Sequence, residues 1–139
     1  MPQTSSTRRD LISHEALTAP AVASVGDAAR AGYVIDLVSL ITGVPVADIR
    51  ATDRRDARTS RARQLAMYLT YVAWQWPLYR IGAVFGRDRT TVGYACRRIE
   101  DLRDNRDVDT TLDWLEACLQ ALPETLSLRA VRNRWSRVY

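Results

Sequence analysis

The chain has 139 residues, the length of about one domain, and 47% of them are hydrophobic, which is enough for a small core. The absence of any run of about 18 apolar residues excludes a transmembrane helix of ordinary length. Met1–Asp10 lacks the apolar stretch of a signal peptide, so none is expected.

Positive charge is concentrated in the middle of the chain. Residues 50–98 carry eleven arginines and three acids, whereas the segments on either side each have a net charge of −2. All twenty basic residues are arginine, whose planar fork suits phosphates and guanine edges, although a GC-rich coding sequence accounts for this composition more simply. This charge pattern indicates a polyanionic partner.

In chain order, the first predicted element is a flexible arm over residues 1–26, which are rich in Ser, Thr, Ala and Pro. Asp27 is the predicted N-cap of a first helix that stops at Gly43, since apolar residues recur at helical spacing between them. A short helical turn after Pro45 and a basic loop over residues 50–58 should follow.

The middle of the chain predicts two helices before a tight turn. Thr59 or Ser60 is the predicted cap of a helix that runs to about Trp74. Pro77 suits the first position of a short helix that Gly86 ends.

Two more helical segments are predicted beyond that turn. Asp88 can cap the next helix, and Leu112, Leu115 and Leu119 mark a later one that ends before Pro123. Because no stretch shows strand alternation, the fold class predicted is all-α. The domains expected are an arm (1–26), a DNA-binding domain (27–104), and a C-terminal helix with a basic tail (105–139).

The hexapeptide Gly86–Thr91 is the candidate base reader. At the start of a helix, Arg89 could contact guanine, Asp88 could accept from cytosine, and the methyl group of Thr90 or Thr91 could pack on thymine. The alternative is that Asp88 and Thr90 only cap the helix while Arg87 and Arg89 are solvated.

Arginines also cluster over residues 50–63, just before and within the start of a predicted helix. This cluster and the pair Arg97 and Arg98 are expected to grip phosphates, although a solvated basic face would have the same composition. The cluster consists of Arg50, Arg54, Arg55, Arg58, Arg61 and Arg63.

Other chemistry-bearing residues point away from catalysis. Aromatic residues between Tyr71 and Tyr79 suit core and rim packing, with base stacking as the alternative. His14 stands alone, and Cys96 and Cys118 lack Cys or His neighbours at ligand spacing, so no enzyme, metal or cofactor is expected. The chain has no lysine, which excludes a phosphate-binding loop of the Gly-Lys-Ser/Thr type.

Four motifs together resemble one known family. They are R-x-R-Q-L-A-M-Y-L from Arg61, I-G-x-x-F-G from Ile81, R-D-x-T-T-V from Arg87, and A-C-x-x-I-E from Ala95. In this order and spacing they resemble the C-terminal helix-turn-helix domain of the bacterial replication initiator DnaA. The resemblance covers about half of the chain, from about Val34 to Arg103.

The resemblance implies a DNA-binding role for particular residues. Arg61 would enter the minor groove, and Arg63 and Gln64 would lie near the DNA backbone. The major-groove role falls to Arg87, Asp88, Thr90 and Thr91, with Arg89 in place of the usual His. Other departures are a single glycine before Arg87 and Ala62 in place of Pro.

The expected function is sequence-specific binding of double-stranded DNA at DnaA-box-like sites by a regulator in the bacterial cytoplasm and nucleoid. No ATPase module is recognisable in the sequence, so nucleotide, like membrane, is not an expected partner. The alternatives are a protein-interaction module, including a homodimer through the C-terminal helix, and a non-specific DNA binder.

Overall fold

The structure is a computed structural model that describes residues 23–53, 56–122 and 128–138, with residues 128–131 described by their backbone alone. Residues 1–22 of the predicted arm, which include His14, lie outside this range, as do Arg54 and Arg55 of the basic cluster.

The described residues form seven α-helices and no strand, which confirms the predicted all-α class. The helices are α1 (Val25–Thr42), α2 (Val46–Arg50), α3 (Ala57–Trp74), α4 (Leu78–Phe85), α5 (Arg89–Asp101), α6 (Arg106–Gln120) and α7 (Leu128–Val138), with a 3₁₀ turn at Leu102–Asp104.

Three of the predicted helix ends are confirmed. Gly43 and Gly86 end α1 and α4 with φ angles of 73° and 63°, in the left-handed region that glycine adopts without steric cost. Asp88 caps α5, because its side chain accepts a hydrogen bond from the backbone N–H of Thr91.

Three predicted helix starts are wrong by a few residues. Ser24 caps α1, and its hydroxyl accepts from the N–H of Asp27 at 3.0 Å, so the helix begins within the predicted arm. Asp56, not Thr59 or Ser60, caps α3, and its carboxylate accepts from the N–H of Thr59 at 2.8 Å. Pro77 is the N-cap of α4 and not its first helical residue.

Helix α3 is the centre of the fold. It contacts α1, α2, α4, α5 and α6, and it is apolar on more than one face because Ala66, Met67, Tyr68 and Leu69 are all at least 98% buried. A helix surrounded in this way is fixed along its length. Residues at its two ends are therefore held in defined positions relative to α4 and α5.

Helix α6 belongs to the same core. Leu112, Leu115 and Leu119 are buried against α3, and the indole N–H of Trp74 donates to the carbonyl of Leu119 at 3.3 Å. Helix α6 therefore packs on the same core as the helices before it, and the domain boundary at residue 104 stays a prediction.

Arg103 is the main polar link between α6 and the rest of the core. Its guanidinium donates to Asp109 at 2.7 Å, to Asp113 at 2.9 Å and to the Tyr68 hydroxyl at 2.7 Å, and only 16% of its side chain is exposed. Tyr68 in turn donates to Glu100. Asp109 and Asp113 on α6 therefore pair with a single arginine that lies before their helix.

The two tryptophans of the aromatic cluster pack against the core, as the sequence predicts. Trp76 is buried, and its ring centroid lies 5.5 Å from that of Trp74. The guanidinium of Arg80 lies 3.9 Å from the Trp76 ring centroid and pairs with Asp27 of α1 at 2.8 Å. Tyr71 and Tyr79 are exposed.

Candidate nucleic-acid interface

The candidate interface is built on α4, a tight turn and α5. The N–H of Arg87 donates to the carbonyl of Gly82 at 3.0 Å, which folds the turn back onto α4. A Cβ atom at Gly82 would lie 2.3 Å from the Arg87 carbonyl oxygen, so only glycine fits there. Together with the left-handed Gly86, this close approach fixes the angle at which α5 leaves α4.

The first turn of α5 combines a cap with exposed polar side chains. The Asp88 carboxylate accepts from the N–H of Thr91 at 2.7 Å. This backbone hydrogen bond, reinforced by the Thr91 side chain, lowers the pKa of Asp88, so the residue is a carboxylate at neutral pH. A carboxylate has about four acceptor positions, so Asp88 keeps some for another donor.

Arg87 is turned towards the protein. Its guanidinium donates to the carbonyl of Ala51 at 3.0 Å and to that of Gly86 at 3.3 Å, and the residue is half-buried. These bonds hold the turn against the segment that precedes α3. In this conformation, the Arg87 guanidinium lies against the protein and does not extend from the start of α5 into solvent.

The solvent face of α5 carries the other predicted readers. Arg89, Thr90 and Thr91 are exposed at its start, and Arg97 and Arg98 are exposed two turns later. The opposite face is buried in the core through Val92, Ala95, Cys96 and Ile99. Burial raises the pKa of the Cys96 thiol to about 11, so it is protonated at neutral pH.

Sequence reasoning missed one residue on this face. Tyr94 is 51% exposed and lies between Thr90 and Arg97 along the helix, at spacings of four and three residues. That spacing was the available signal, because residues three or four apart share a helix face. Its hydroxyl can donate to a phosphate or a base edge.

The start of α3 presents two of the predicted arginines. Arg61 is exposed, and Arg58 is exposed with one nitrogen donating to the Thr42 carbonyl, at the C-terminal end of α1, at 2.6 Å. The two stand one helical turn apart. The turn before α5 lies near the loop that precedes α3, since the Cβ position of Gly86 is 3.9 Å from the side chain of Thr52.

Arg63 and Gln64 lie deeper than expected. Arg63 is only 7% exposed, and its guanidinium donates to the carbonyls of Ile49 and Asp48 at 3.0 Å each, at the end of α2. Gln64 is half-buried. The packing of α2 on α3 accounts for this inward position, which the arginine-rich sequence alone did not reveal.

The exposed arginines of this surface are available for an anion. Within the described residues, Arg61, Arg89, Arg97 and Arg98 form no ion pair, whereas Arg80 and Arg103 do. Unpaired guanidiniums around a helix start, where backbone N–H groups also point outward, attract phosphates.

Some other features are absent from the described part of the chain. No group of three or more His, Cys, Asp or Glu side chains is placed to hold a metal ion there. None of the helices described is long and apolar enough to cross a bilayer.

Two helices joined by a tight glycine turn, with exposed Arg and Thr at the start of the second, define a helix-turn-helix DNA-binding domain. Residues 32–99 match the family model of the bacterial DnaA protein helix-turn-helix. This part of the chain therefore belongs to the DnaA C-terminal helix-turn-helix family.

Known replication initiator proteins are similar in sequence to part of this chain. The chromosomal replication initiator protein DnaA of Picosynechococcus sp. is 40% identical over 70 residues, which are 50% of this chain and 15% of that protein. That of Tropheryma whipplei is 46% identical over 59 residues, 40% of this chain and 12% of that protein.

A crystal structure of a DNA replication initiation factor superposes with a TM-score of 0.61 and 31% identity, over 68% of this chain and 29% of that one. The chain thus spans less than a third of the length of each of these relatives. What the resemblance supports is a DNA-binding domain, which is not a catalytic module.

Proposed function

We propose that this protein binds double-stranded DNA at DnaA-box-like sites and regulates transcription or replication there, in the bacterial nucleoid, without catalysis or a cofactor. The observation that carries the proposal is the start of α5, where Asp88, Arg89, Thr90 and Thr91 are exposed together on a rigidly held helix.

The reader is assigned to this helix start because its side chains match base edges. Arg89 has a guanidinium that no ion pair occupies in the described residues, and such a fork fits the O6 and N7 atoms of guanine. Thr90 and Thr91 offer methyl groups for thymine, and Asp88 offers a carboxylate oxygen for cytosine N4.

Affinity is assigned to the surrounding arginines. Arg58 and Arg61 at the start of α3 and Arg97 and Arg98 on α5, all exposed, would contact phosphates, and Arg61 would also enter a minor groove. Arg87 holds the turn, and Arg63 secures α2 to α3, so both support the interface from within.

The test is fluorescence anisotropy of the purified chain with a labelled DnaA-box duplex and a scrambled duplex of the same composition, each at two salt concentrations. We expect the box to bind about a thousandfold more tightly than the scrambled duplex, as specific readers do. Binding that is equal on both duplexes and falls steeply with salt would contradict the specific role and favour a non-specific binder.

A second copy of the chain is proposed as a further partner, through the C-terminal helices. Trp114 on α6 and Trp135 and Val138 on α7 are each more than 60% exposed, and exposed apolar residues that form one contiguous patch mark interaction sites. Sedimentation of the wild-type chain and of Trp135→Ser measures this directly. A wild-type chain that is monomeric at all concentrations would contradict it.

A further inference from the structure

A groove with aliphatic walls lies beside the arginines at the start of α3, where α3 meets the ends of α1 and α5 and the first half of α6. Its volume is about 480 Å³. The walls are formed mainly by Ile41, Leu65, Ile99, Leu102, Val108 and Leu112. Small-molecule sites have volumes of this order and the same predominance of apolar lining.

The apolar lining is incompletely covered in the fold. Ile41 and Leu102 are 46% and 45% exposed at the rim, while Leu65 and Val108 are only partly buried. Covering such residues with an apolar chain removes hydrocarbon from water, which is favourable in proportion to the area covered.

The mouth of the groove is positively charged. Arg58 and Arg61 stand one turn apart on the same wall, and among the described residues Asp107 is the only acid that lines the groove. One nitrogen of Arg58 donates to the Thr42 carbonyl, and the other N–H groups of its guanidinium remain able to bind an anion. Two guanidiniums against one carboxylate leave a net charge that favours an anionic head group.

We propose that this groove binds an aliphatic carboxylate, with its hydrocarbon chain between α3 and α6 and its carboxylate on Arg58 and Arg61. Because the same two arginines are assigned to DNA, the ligand and DNA compete. The competition rests on the proposed function, whereas the carboxylate site itself does not.

Decanoate is the probe, and two adjacent threonines of α6 supply matched variants. Thr111 lines the groove and Thr110 does not, yet both are exposed, so each tolerates a large side chain. Thr111→Trp should fill the groove and weaken decanoate binding at least about tenfold in calorimetric titration. Thr110→Trp should bind decanoate like the wild type, and both variants should keep the DNA affinity of the wild type.

The head group is tested with 1-decanol and Arg58→Gln. The wild type should bind decanoate more tightly than decanol, and Arg58→Gln should reduce that preference. Decanoate should also release the labelled box duplex from the wild type but not from Thr111→Trp.

Each outcome decides between explanations. Decanoate binding unchanged in Thr111→Trp, or equal binding of decanol and decanoate by the wild type, would overturn the proposed site. A dimer that Thr111→Trp dissociates, with no decanoate bound, would assign the groove to a second copy and overturn it too. Decanoate binding to a chain that binds no DNA would support the site and refute only the proposed function.

Discussion

Arginine has two different roles in two regions of this molecule. Where α6 joins the core, Arg103 is largely buried and shares its donors among Tyr68, Asp109 and Asp113. At the start of α5, Arg89 is exposed and forms no ion pair within the described residues. The first arrangement satisfies the guanidinium inside the protein, and the second leaves it for a ligand.

The difference follows from desolvation. A guanidinium that is removed from water needs acceptors around it, and once they are supplied the cluster resists rearrangement. An exposed guanidinium remains hydrated and exchanges water for phosphate or guanine oxygens on binding. Changes in the first region should therefore alter folding stability, and changes in the second should alter DNA affinity alone.

The largest effect is expected at Gly82, which packs against the turn that leads into the second region. In Gly82→Ala the new methyl group would lie 2.3 Å from the Arg87 carbonyl oxygen, so the turn must open. We expect a loss of about 3 kcal/mol in the free energy of unfolding, measured by urea denaturation, together with loss of DNA binding.

Gly26→Ala is the matched control for this change, because nothing lies within 4 Å of the Cβ position there. In a helix this control should be neutral or slightly stabilising. If Gly82→Ala unfolds at the same urea concentration as Gly26→Ala, the close approach of Gly82 to the Arg87 carbonyl does not constrain the fold.

Arg103→Met should destabilise the joint between α6 and the core. Removing the guanidinium deprives Asp109, Asp113 and the Tyr68 hydroxyl of the donor that they share. We expect a loss of about 2–3 kcal/mol, less than for a fully buried pair because the carboxylates are partly exposed. The folded variant should still bind DNA with wild-type affinity.

Arg106→Met is the control for Arg103→Met, since Arg106 is exposed at the start of α6, three residues after Arg103. It should leave the free energy of unfolding, measured by urea denaturation, within about 0.5 kcal/mol of the wild-type value. Equal midpoints for the two variants would show that the ion-pair cluster contributes nothing to stability.

Arg89→Ala should reverse this pattern, with stability unchanged and DNA recognition impaired. The loss should be about 1–3 kcal/mol on the preferred duplex, with relaxed discrimination at one base pair. Anisotropy on duplexes that differ at single positions measures both. Arg97→Ala should instead weaken binding on every sequence and reduce the salt slope by about one. A uniform loss for Arg89→Ala would exclude base reading by this residue.

The geometry of the turn and cap before α5 could be predicted from sequence because it depends on local chemistry. Gly86 ends α4 in a backbone conformation that favours glycine. Asp88 caps α5 by accepting a hydrogen bond from the N–H of Thr91, only three residues later. Such signals act within one turn of a helix and are visible in the order of residues.

The inward arginines could not be predicted, because their partners are distant in sequence. Arg63 donates to carbonyls 14 and 15 residues away, and Arg87 to one 36 residues away. Asp27 was expected to be a cap, but its carboxylate pairs with Arg80, 53 residues away. In a chain with twenty arginines, composition does not distinguish those with internal acceptors from those without.

The smallest of these effects, at Asp27, also tests the pairing role by pH. The hydrogen bond from Arg80 lowers the pKa of Asp27, so the pair adds stability above the unfolded pKa of about 3.9 and loses it as pH falls through the lower folded value. Asp27→Asn should cost about 1 kcal/mol at neutral pH, a modest value because the Arg80 side chain is 40% exposed. Urea midpoints of wild type and variant should converge towards pH 2, and Asp36→Asn, at an exposed position on the same helix, is the control that should keep the wild-type midpoint at neutral pH. A difference for Asp27→Asn that stays constant from neutral pH to pH 2 would mean that the charge of Asp27 is not what joins α1 to α4, and Arg80 would then belong with the arginines available to a ligand.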